Sequence, residues 1–450
     1  MDEKIKTIRS NKTLETAREA TLFAKKMLTS ARDAVAAGKP VGWSMFEWWL
    51  GASVAKAMGV ELLYPENYGA FCAAVGKVEA YMDYAEMDGV PGTTCGYARN
   101  CMGYARRLKE NDYVPPADAP GGGMPKPLFL LGCGAVCDAR YKWFQGLGRY
   151  MDAPVFTLEF PQTGPMEYFI RGNKENNIKF MVQELRAFVA FLEKIVGKKM
   201  NWDQLSERVD IMFKTHRLAH EVDLLRKNAP CPVFCTDFWA IMIPVMYMPD
   251  EQESLDFYKR VYAEVKNKVD NHVGAIPNEK YRMMFAELPP WPLLGIFEEF
   301  AEKHGTNFVM ESWNYHAPPP LPEEERAGIN DPLELLARYS YHKFNEGAAF
   351  AYEKGVEPTI FTSYYLQYAK DYKADGLFCH PLLSCRPATY TLMHLRNLLL
   401  QKMKVPSVVV EGDIVDLRVF NVDEAYAKMD AFTETMDYYR EVRKKEGFEW

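Results

Sequence analysis

Short apolar runs alternate with longer amphipathic stretches over much of the chain. From about residue 40, the apolar PVGWSM precedes the helix-like FEWWLGASVAKAM, and the apolar VELLYP precedes another helix-like stretch. Beyond the Pro/Gly-rich connector at 114–127, LFLLG, DARYKWFQGLGRYM and APVFTLEF repeat the alternation. Short apolar segments separated by helices are typical of βαβ units with parallel strands. The pattern predicts an open α/β sheet in this part of the chain.

Long helical periodicity replaces the alternation after residue 173, beginning with KENNIKFMVQELRAFVAFLEKIVG. Strand-like runs return after LPPWP, as TNFVMES, DGLFCH and VPSVVVEGD. The predicted fold class is therefore α/β, with two open parallel-sheet domains of the flavodoxin or Rossmann kind and an additional helical section. We expect four parts: an N-terminal helical segment (1–39), a first α/β domain (40–172), a mainly helical section (173–290) and a second α/β domain (291–450).

Composition and charge exclude several function classes. The 450 residues carry 54 basic and 61 acidic side chains, a formal net charge of −7, so no basic surface for nucleic acid is expected. No apolar run of about 18 residues or signal-peptide pattern is present, which predicts a cytoplasmic protein without a membrane segment. The sequence also lacks a GxxxxGK[ST] phosphate loop and a full dinucleotide fingerprint, so bound ATP, NAD and flavin are not expected.

Cysteines supply the main chemical signal. Three pairs of the nine cysteines lie near the starts of predicted helices: Cys95 and Cys101, Cys133 and Cys137, and Cys379 and Cys385. In open α/β sheets, ligands bind beyond the carboxyl ends of the strands, where helix N-termini present free N–H groups. Such positions suit thiolates that hold an iron–sulfur centre.

Two other interpretations of the cysteines remain open at this point. Structural zinc prefers two tight pairs within one small module, whereas these pairs are spread over residues 95–385. Core packing is the second alternative, because free cysteine is among the most buried residue types, and it accounts well for Cys72, Cys231 and Cys235.

The cysteine segments resemble those of the benzoyl-CoA reductase and 2-hydroxyacyl-CoA dehydratase family of oxygen-sensitive iron–sulfur enzymes. The resemblance runs from about residue 40 to the C-terminus and rests on CGYARNCMG, CDARYKWF, PNEKYRMMFAELPPW, KADGLFCHPLLSCRP and VPSVVVEGDIVDLRVF. It implies a [4Fe–4S] cluster between two α/β domains, bound by one cysteine from each of three segments. Matched by their neighbours, these are Cys95, Cys137 and Cys385.

One additional thiol accompanies each of these positions: Cys101, Cys133 and Cys379. The set of six is similar to that of the family's double-cubane branch, which implies an [8Fe–9S] centre in a homodimeric reductase of small molecules. The alternative is a benzoyl-CoA reductase or (R)-2-hydroxyacyl-CoA dehydratase subunit, with one [4Fe–4S] cluster and a paralogous partner in a heterodimer. A non-catalytic electron-transfer or metal-storage protein is the third possibility.

The resemblance also implies a separate iron–sulfur activator that hydrolyses ATP and injects low-potential electrons. His380 and Glu411 are the candidate proton donors, because both follow predicted strands near the third cysteine pair. A hydrogen-bonding role for His380, and a loop-capping role for Glu411 and the nearby Asp413, are the alternatives. Tyr97 and Arg99 flank Cys95 and are candidates for contact with the substrate or the cluster.

Overall fold

Two four-stranded parallel sheets form the framework of the protein. The computed structural model describes residues 7–161, 170–314, 316–353 and 365–450, with only the backbone for 346–353. The first sheet contains β1 (Val41–Ser44), β2 (Glu61–Leu63), β3 (Phe129–Cys133) and β4 (Val155–Leu158). The second contains β5 (Tyr281–Ala286), β6 (Thr306–Glu311), β7 (Gly376–Cys379) and β8 (Ser407–Val409).

Both sheets have the same strand order. The first runs β2-β1-β3-β4 and the second β6-β5-β7-β8, with every pair parallel. In each sheet the chain reverses its direction of winding between the two central strands, β1 and β3 or β5 and β7. A crevice opens beyond the carboxyl ends of the strands at such a point. The fold therefore offers two equivalent crevices.

The helices connect and cover the strands. Within the described residues they are, in chain order, α1 (Glu15–Ala36), α2 (Ala52–Ala57), α3 (Pro65–Ala74), α4 (Glu79–Met87), α5 (Gly96–Glu110), α6 (Asp138–Met151), α7 (Asn173–Val196), α8 (Trp202–Arg226), α9 (Cys235–Tyr247), α10 (Gln252–Asp270), α11 (Ile296–His304), α12 (Pro332–Glu353), α13 (Tyr365–Asp371), α14 (Arg386–Tyr390), α15 (Leu392–Met403) and α16 (Val422–Lys445). No helix in these ranges is both long and apolar enough to cross a membrane.

Aromatic side chains pack the long helices onto the sheets. Phe188 of α7 lies 5.1 Å, between ring centroids, from Phe156 of β4. On the second sheet, a Cβ added to Gly376 would lie 2.8 Å from the ring of Phe432 in α16, so the helix approaches the strand where the side chain is smallest. Burial on both faces explains why most strand residues are apolar.

The structure confirms the α/β fold class and the two parallel sheets, but the second sheet begins earlier than expected. β5 lies within the predicted helical section 173–290, before the expected boundary at 291. All six of its residues are buried. A strand buried on both faces lacks polar alternation, so periodicity does not separate it from a buried helix.

The helix predicted over FEWWLGASVAKAM is also shorter than expected. Trp48 and Trp49 adopt positive φ values of 50° and 63°, and the regular helix α2 begins only at Ala52. A bulky residue in the left-handed region cannot continue a right-handed helix. Tertiary packing holds this backbone: Trp49 is buried, and its indole N–H donates to the carbonyl of Met246 at 3.0 Å.

Candidate functional site

Three cysteines stand immediately before three helices. Cys95 is the N-cap residue of α5, Cys137 that of α6 and Cys385 that of α14. All three are half-buried. Because the first N–H groups of a helix have no partner within it, each sulfur lies where backbone donors and a partial positive charge converge.

Electrostatic effects show that these three cysteines, here called the thiol site, are close to one another. Burial raises the pKa of Cys95, and the neighbouring Cys385 and Cys137 raise it further. Burial likewise raises the pKa of Cys385 to about 12, with Cys137 again contributing. The thiol site thus joins residues from both sheets that are far apart in the chain.

A close contact between the two domains fixes the thiol site. The backbone N–H of Gly96 donates to Ser384 Oγ at 3.2 Å, and Ser384 in turn donates to Asp413. A Cβ added to Gly96 would lie 2.7 Å from Asp413 Oδ1, so the two loops meet where no side chain fits. This contact holds Cys95 and Cys385 near each other, because Gly96 and Ser384 are adjacent to them in the sequence.

The other three predicted thiols lie deeper, and each shares an acidic neighbour with a thiol-site cysteine. Glu66 acts on Cys101 and Cys133 as well as on Cys137, and Glu287 acts on Cys379 as well as on Cys385. Cys101, Cys133 and Cys379 are all buried. Cys101 has Trp143 and Cys72 beside it, and Cys379 has Arg396 and Glu287. Cys133 and Cys379 end β3 and β7, so they occupy equivalent positions in the two sheets.

Backbone N–H groups are the donors nearest the sulfurs of the thiol site. Within the described ranges, no group of three His, Cys, Asp or Glu side chains is arranged to hold one metal ion. A cubane distributes its ligands over different irons, so its thiolates stand farther apart. Backbone N–H groups of Ala98, Arg140 and Ala388 oppose the effect of burial and lower the pKa of Cys95, Cys137 and Cys385, respectively. These donors are of the kind that stabilise iron–sulfur centres.

The candidate proton donors lie in contrasting places. His380 is buried, with Nδ1 2.7 Å from the carbonyl oxygen of Leu288 and its ring beside Phe420. Burial lowers its pKa to about 4, so the imidazole is neutral at pH 7. Glu411 is exposed in the loop after β8. The proton-donor role of either residue remains a prediction.

Asp413, Arg99 and Tyr97 connect the site to its surroundings. Asp413 Oδ1 accepts the backbone N–H groups of Val415 and Asp416 at 3.1 and 3.2 Å, which is the loop-capping role considered above. Arg99 is buried and pairs with Asp416 across the domains at 2.9 Å. The hydroxyl of Tyr97 accepts the indole N–H of Trp291. Arg99 therefore joins the domains, whereas Tyr97 forms part of a cavity wall.

A cavity of about 440 Å³ lies between the two domains beside the thiol site. Its described lining contains seven aromatic side chains from both halves of the chain: Phe46, Phe71, Tyr97, Trp239, Tyr247, Trp291 and Trp313. Apolar walls with few polar groups are characteristic of binding sites for small molecules.

Glu66 links this cavity to the thiol site, and the sequence analysis did not identify it. Its Oε2 accepts the N–H of Phe46 at 2.9 Å and a guanidinium N–H of Arg140 at 3.1 Å. The same carboxylate acts electrostatically on Cys137. The usable sequence signal was the position of Glu66, in the first turn of a helix directly after the strand ELL.

Glu287 is a second carboxyl group that the sequence analysis missed. It follows β5 directly and has a positive φ of 77°, and its N–H donates to Ser312 Oγ at 3.0 Å. Burial raises its pKa to about 8, and the carboxyl group in turn raises the pKa of Cys385. An acidic residue directly after the mainly apolar YRMMFA was the signal for this position.

Comparison with protein families gives a match over most of the chain. The model of the family described as "2-hydroxyglutaryl-CoA dehydratase, D-component" matches residues 52–436. The matched region contains all six paired cysteines, together with Glu66 and Glu287.

Individual relatives match at low identity but over nearly their whole length. The (R)-2-hydroxyisocaproyl-CoA dehydratase alpha subunit of Clostridioides difficile is 24% identical over 91% of this chain and 93% of its own. The (R)-phenyllactyl-CoA dehydratase alpha subunit of Clostridium sporogenes is 24% identical over 99% of this chain and 100% of its own. A benzoyl-CoA reductase subunit of Thauera aromatica is 22% identical over 79% of each chain.

Proposed function

Since the chain belongs to the 2-hydroxyglutaryl-CoA dehydratase D-component family, we propose that it is the cluster-binding subunit of an enzyme acting on an acyl-CoA. Cys95, Cys137 and Cys385 would hold a single [4Fe–4S] cluster. The observation that carries the proposal is the convergence of three helix N-cap thiols at the contact between the two sheets.

The burial of the other three thiols favours one cluster over two. Cys101 and Cys379 are 0% exposed and Cys133 is 1% exposed, so all three lie in the packed interior. When bound, a cubane with three protein ligands supplies redox-active iron with one coordination position open to substrate. The thiol site would hold that centre away from water, between domains joined by the Gly96 and Ser384 contact.

The cavity residues would bind and orient the acyl thioester. Tyr97 and Trp291 form part of the wall nearest Cys95, and Glu66 lies where the cavity approaches Cys137. A carboxylate at this position can accept a proton from the bound substrate, while Arg140 keeps its orientation fixed. We assign Glu66, rather than His380 or Glu411, as the proton-transferring residue of this chain.

Two partners belong to the proposal. Relatives of this chain are named as alpha subunits, and the (R)-phenyllactyl-CoA dehydratase beta subunit of Clostridium sporogenes also matches, at 23% identity over 64% of this chain. Both kinds of subunit thus resemble this chain, which supports a heterodimer with a paralogous subunit. An ATP-hydrolysing activator would supply the electrons, as the family resemblance implies.

A double-cubane reductase is the second candidate. Its specific support is that Cys133 and Cys379 occupy equivalent strand ends, each a few residues before a thiol-site cysteine. In that case the chain would form a homodimer and reduce small molecules that lack CoA.

Metal and sulfide counting after anaerobic purification separates these functions. We expect about four irons and four acid-labile sulfides per chain, from the composition of one cubane. About eight irons would support the double cubane instead. Stoichiometric zinc without sulfide would contradict both. The acyl-CoA activity is tested separately, by turnover of 2-hydroxyacyl-CoA or aromatic acyl-CoA with the partner subunit, activator and ATP.

A further inference from the structure

A surface cleft of about 310 Å³ lies at the amino-terminal edge of the second sheet. Its lining includes Lys280 and Asp375, which directly precede β5 and β7. The thiol site lies beyond the opposite, carboxyl ends of the strands, since Cys385 follows β7. The six residues of β5 span about 20 Å between the two edges of the sheet. The cleft is therefore separate from the interdomain cavity and from the thiol site.

Basic side chains outnumber acidic ones around this cleft. Asp375 pairs with Arg440 at 2.7 Å and with the fully buried Arg443 at 2.8 Å. Glu279 pairs with Arg282 at 2.5 Å. Both acids are thus engaged, and a single carboxylate faces two guanidinium groups of α16. The described lining of the cleft, here called the basic cleft, contains four basic and two acidic side chains: Lys280, Arg282, Lys373, Arg440, Glu279 and Asp375.

Three of the basic residues have donors available for a ligand. The Nε and Nη2 groups of Arg440 donate to Asp375, whereas its Nη1 lies 3.9 Å from Asp437, beyond hydrogen-bonding distance. Lys280 Nζ also contacts Asp437, at 3.3 Å, but an ammonium group has three N–H donors. Lys373 is exposed and forms no ion pair within the part of the chain that the structure describes.

Contacts at the starts of β5 and β7 hold these three cations close together. Arg440 donates to the carbonyl oxygen of Lys280 at 2.7 Å. Both side chains lie over the ring of Tyr281, with the Arg440 guanidinium 5.3 Å and the Lys280 ammonium 4.6 Å from its centroid. Asp375, which binds Arg440, lies two residues after Lys373 in the chain. The three cations therefore converge on one cleft from three separate segments.

An aromatic wall adjoins the cations. Trp450 lines the basic cleft and is half-buried. Its indole N–H donates to the carbonyl oxygen of Ala374 at 3.2 Å, which fixes the ring next to Lys373. The ring of Phe448 supports it edge-on, with the centroids 5.3 Å apart. Pro230 contributes further apolar surface to the lining. The basic cleft thus offers cationic donors and an apolar wall side by side.

We propose that the basic cleft binds a small phosphorylated metabolite. The phosphate contacts Lys280, Lys373 and Arg440, and the organic group lies against the indole ring of the aromatic wall. A phosphate monoester carries a charge of about −1.5 to −2 at pH 7 and three acceptor oxygens, which matches three converging cationic donors. The ligand is not the reacting substrate, because the thiol site lies at the opposite edge of the sheet. The proposal is therefore independent of the proposed acyl-CoA function.

Calorimetric titration with phenyl phosphate, a small aromatic phosphate monoester, tests the basic cleft. The anaerobically purified protein should bind one equivalent. The Lys280→Ala/Lys373→Ala double variant should bind about tenfold more weakly or worse, because two charge-assisted contacts are lost. Lys370→Ala is the control, since it removes an exposed cation near Lys373 but outside the lining, and it should leave the affinity unchanged. Equal affinities of wild type and double variant, or no binding to the wild type, would overturn the proposal.

A second variant tests the aromatic wall. The wild type should prefer phenyl phosphate to inorganic phosphate by about tenfold, because the phenyl ring packs against an aromatic side chain. In Trp450→Ala this preference should disappear, while inorganic phosphate binds as it does to the wild type. Thermal unfolding without ligand shows whether the variant is folded. A retained preference in folded Trp450→Ala would contradict the position assigned to the organic group.

Cys95→Ser separates this proposal from the proposed function. The variant lacks a proposed iron ligand, yet it should bind phenyl phosphate with wild-type affinity, because the basic cleft lies at the other edge of the sheet. A folded, iron-depleted Cys95→Ser protein that no longer binds phenyl phosphate would contradict the independence of the two sites.

Discussion

The surroundings of a cysteine in this protein depend on its position relative to a helix. Cys95 and Cys101 lie on the same segment, yet Cys95 caps α5 beside an interdomain contact, whereas Cys101 lies within α5 and is buried. Six residues along a helix correspond to a rotation of about 240°, so the two side chains face different surroundings. We therefore expect different roles for the two cysteines of one motif.

Serine substitution should separate these roles. Cys95→Ser removes a proposed iron ligand, so iron content after anaerobic purification should fall sharply. Cys101→Ser should keep the iron but lower the free energy of unfolding by about 1–3 kcal/mol, because a hydroxyl is buried among apolar groups. Loss of half the iron in Cys101→Ser would instead support the double cubane.

Glu66 and Glu411 offer a matched pair of carboxyl groups. Glu66→Gln keeps the shape of the side chain but removes the proton acceptor, so kcat with an acyl-CoA should fall by about 10²-fold or more with unchanged iron content. Glu411→Gln, in an exposed loop, should leave kcat within about twofold of wild type, since surface changes usually have small effects. The reverse pattern would return the proton-transfer role to Glu411.

Helices α4 and α5 flank the Cys95 segment and position it in the first domain. Their crossing depends on Gly103 in α5: a Cβ added there would lie 1.7 Å from the carbonyl oxygen of Tyr81 in α4. The backbones touch at this point, so neither side-chain rotation nor a small shift makes room for a methyl group. The position of α5, and hence of Cys95, follows from this contact.

A single methyl group at position 103 should therefore disturb the packing of α5 against α4. We expect Gly103→Ala to lower the free energy of unfolding by about 3 kcal/mol, at the upper end of typical overpacking effects. Gly92→Ala is the control, because the nearest atom to its Cβ would be Glu86 Oε1 at 3.9 Å. Urea unfolding of both variants measures the difference. Similar stabilities for the two would show that α4 and α5 separate without cost.

At the scale of the whole molecule, several buried histidines make the fold sensitive to acid. Burial lowers the pKa of His216 to about 3 and that of His342 to about 4, compared with an ordinary value of 6.5. The folded state therefore holds these rings neutral, whereas the unfolded chain protonates them below pH 6.5. Their contribution to stability is full above pH 6.5 and is lost as the pH falls towards 4 and 3.

Urea unfolding between about pH 7.5 and 5 measures this acid sensitivity. The free energy of unfolding should fall with pH in the wild type and fall less in His216→Phe, which keeps a ring beside Trp49 but cannot bind a proton. His304→Gln is the control, since His304 contacts Asp430 at the protein surface at 2.8 Å. An identical pH dependence in wild type and His216→Phe would contradict the role of His216.

The sequence by itself determined the alternation of strands and helices, and with it the α/β class. A short apolar run bounded by turn residues can be recognised as a strand from its own sequence. Seven of the eight described strands lie on runs that were identified in this way. β5 was not among them, because Arg282 interrupts its apolar run. The fold buries this guanidinium through tertiary hydrogen bonds, such as that from its Nε to the carbonyl oxygen of Tyr372 at 2.7 Å. The three thiol-site cysteines were also identified from the sequence, through their segments and the family resemblance.

Only the tertiary structure decided which of these residues meet. Cys95 and Cys385 approach each other because the two sheets pack with Gly96 against Ser384, a contact across 288 positions that no local pattern encodes. The cavity likewise requires α3 and the N-terminal segment to lie side by side. The pattern of apolar residues shows which face of a helix or strand is buried. Which residues come close together in space depends on how the buried faces of different helices and strands pack against one another. That fit placed Glu66 at the site and Cys101 in the core.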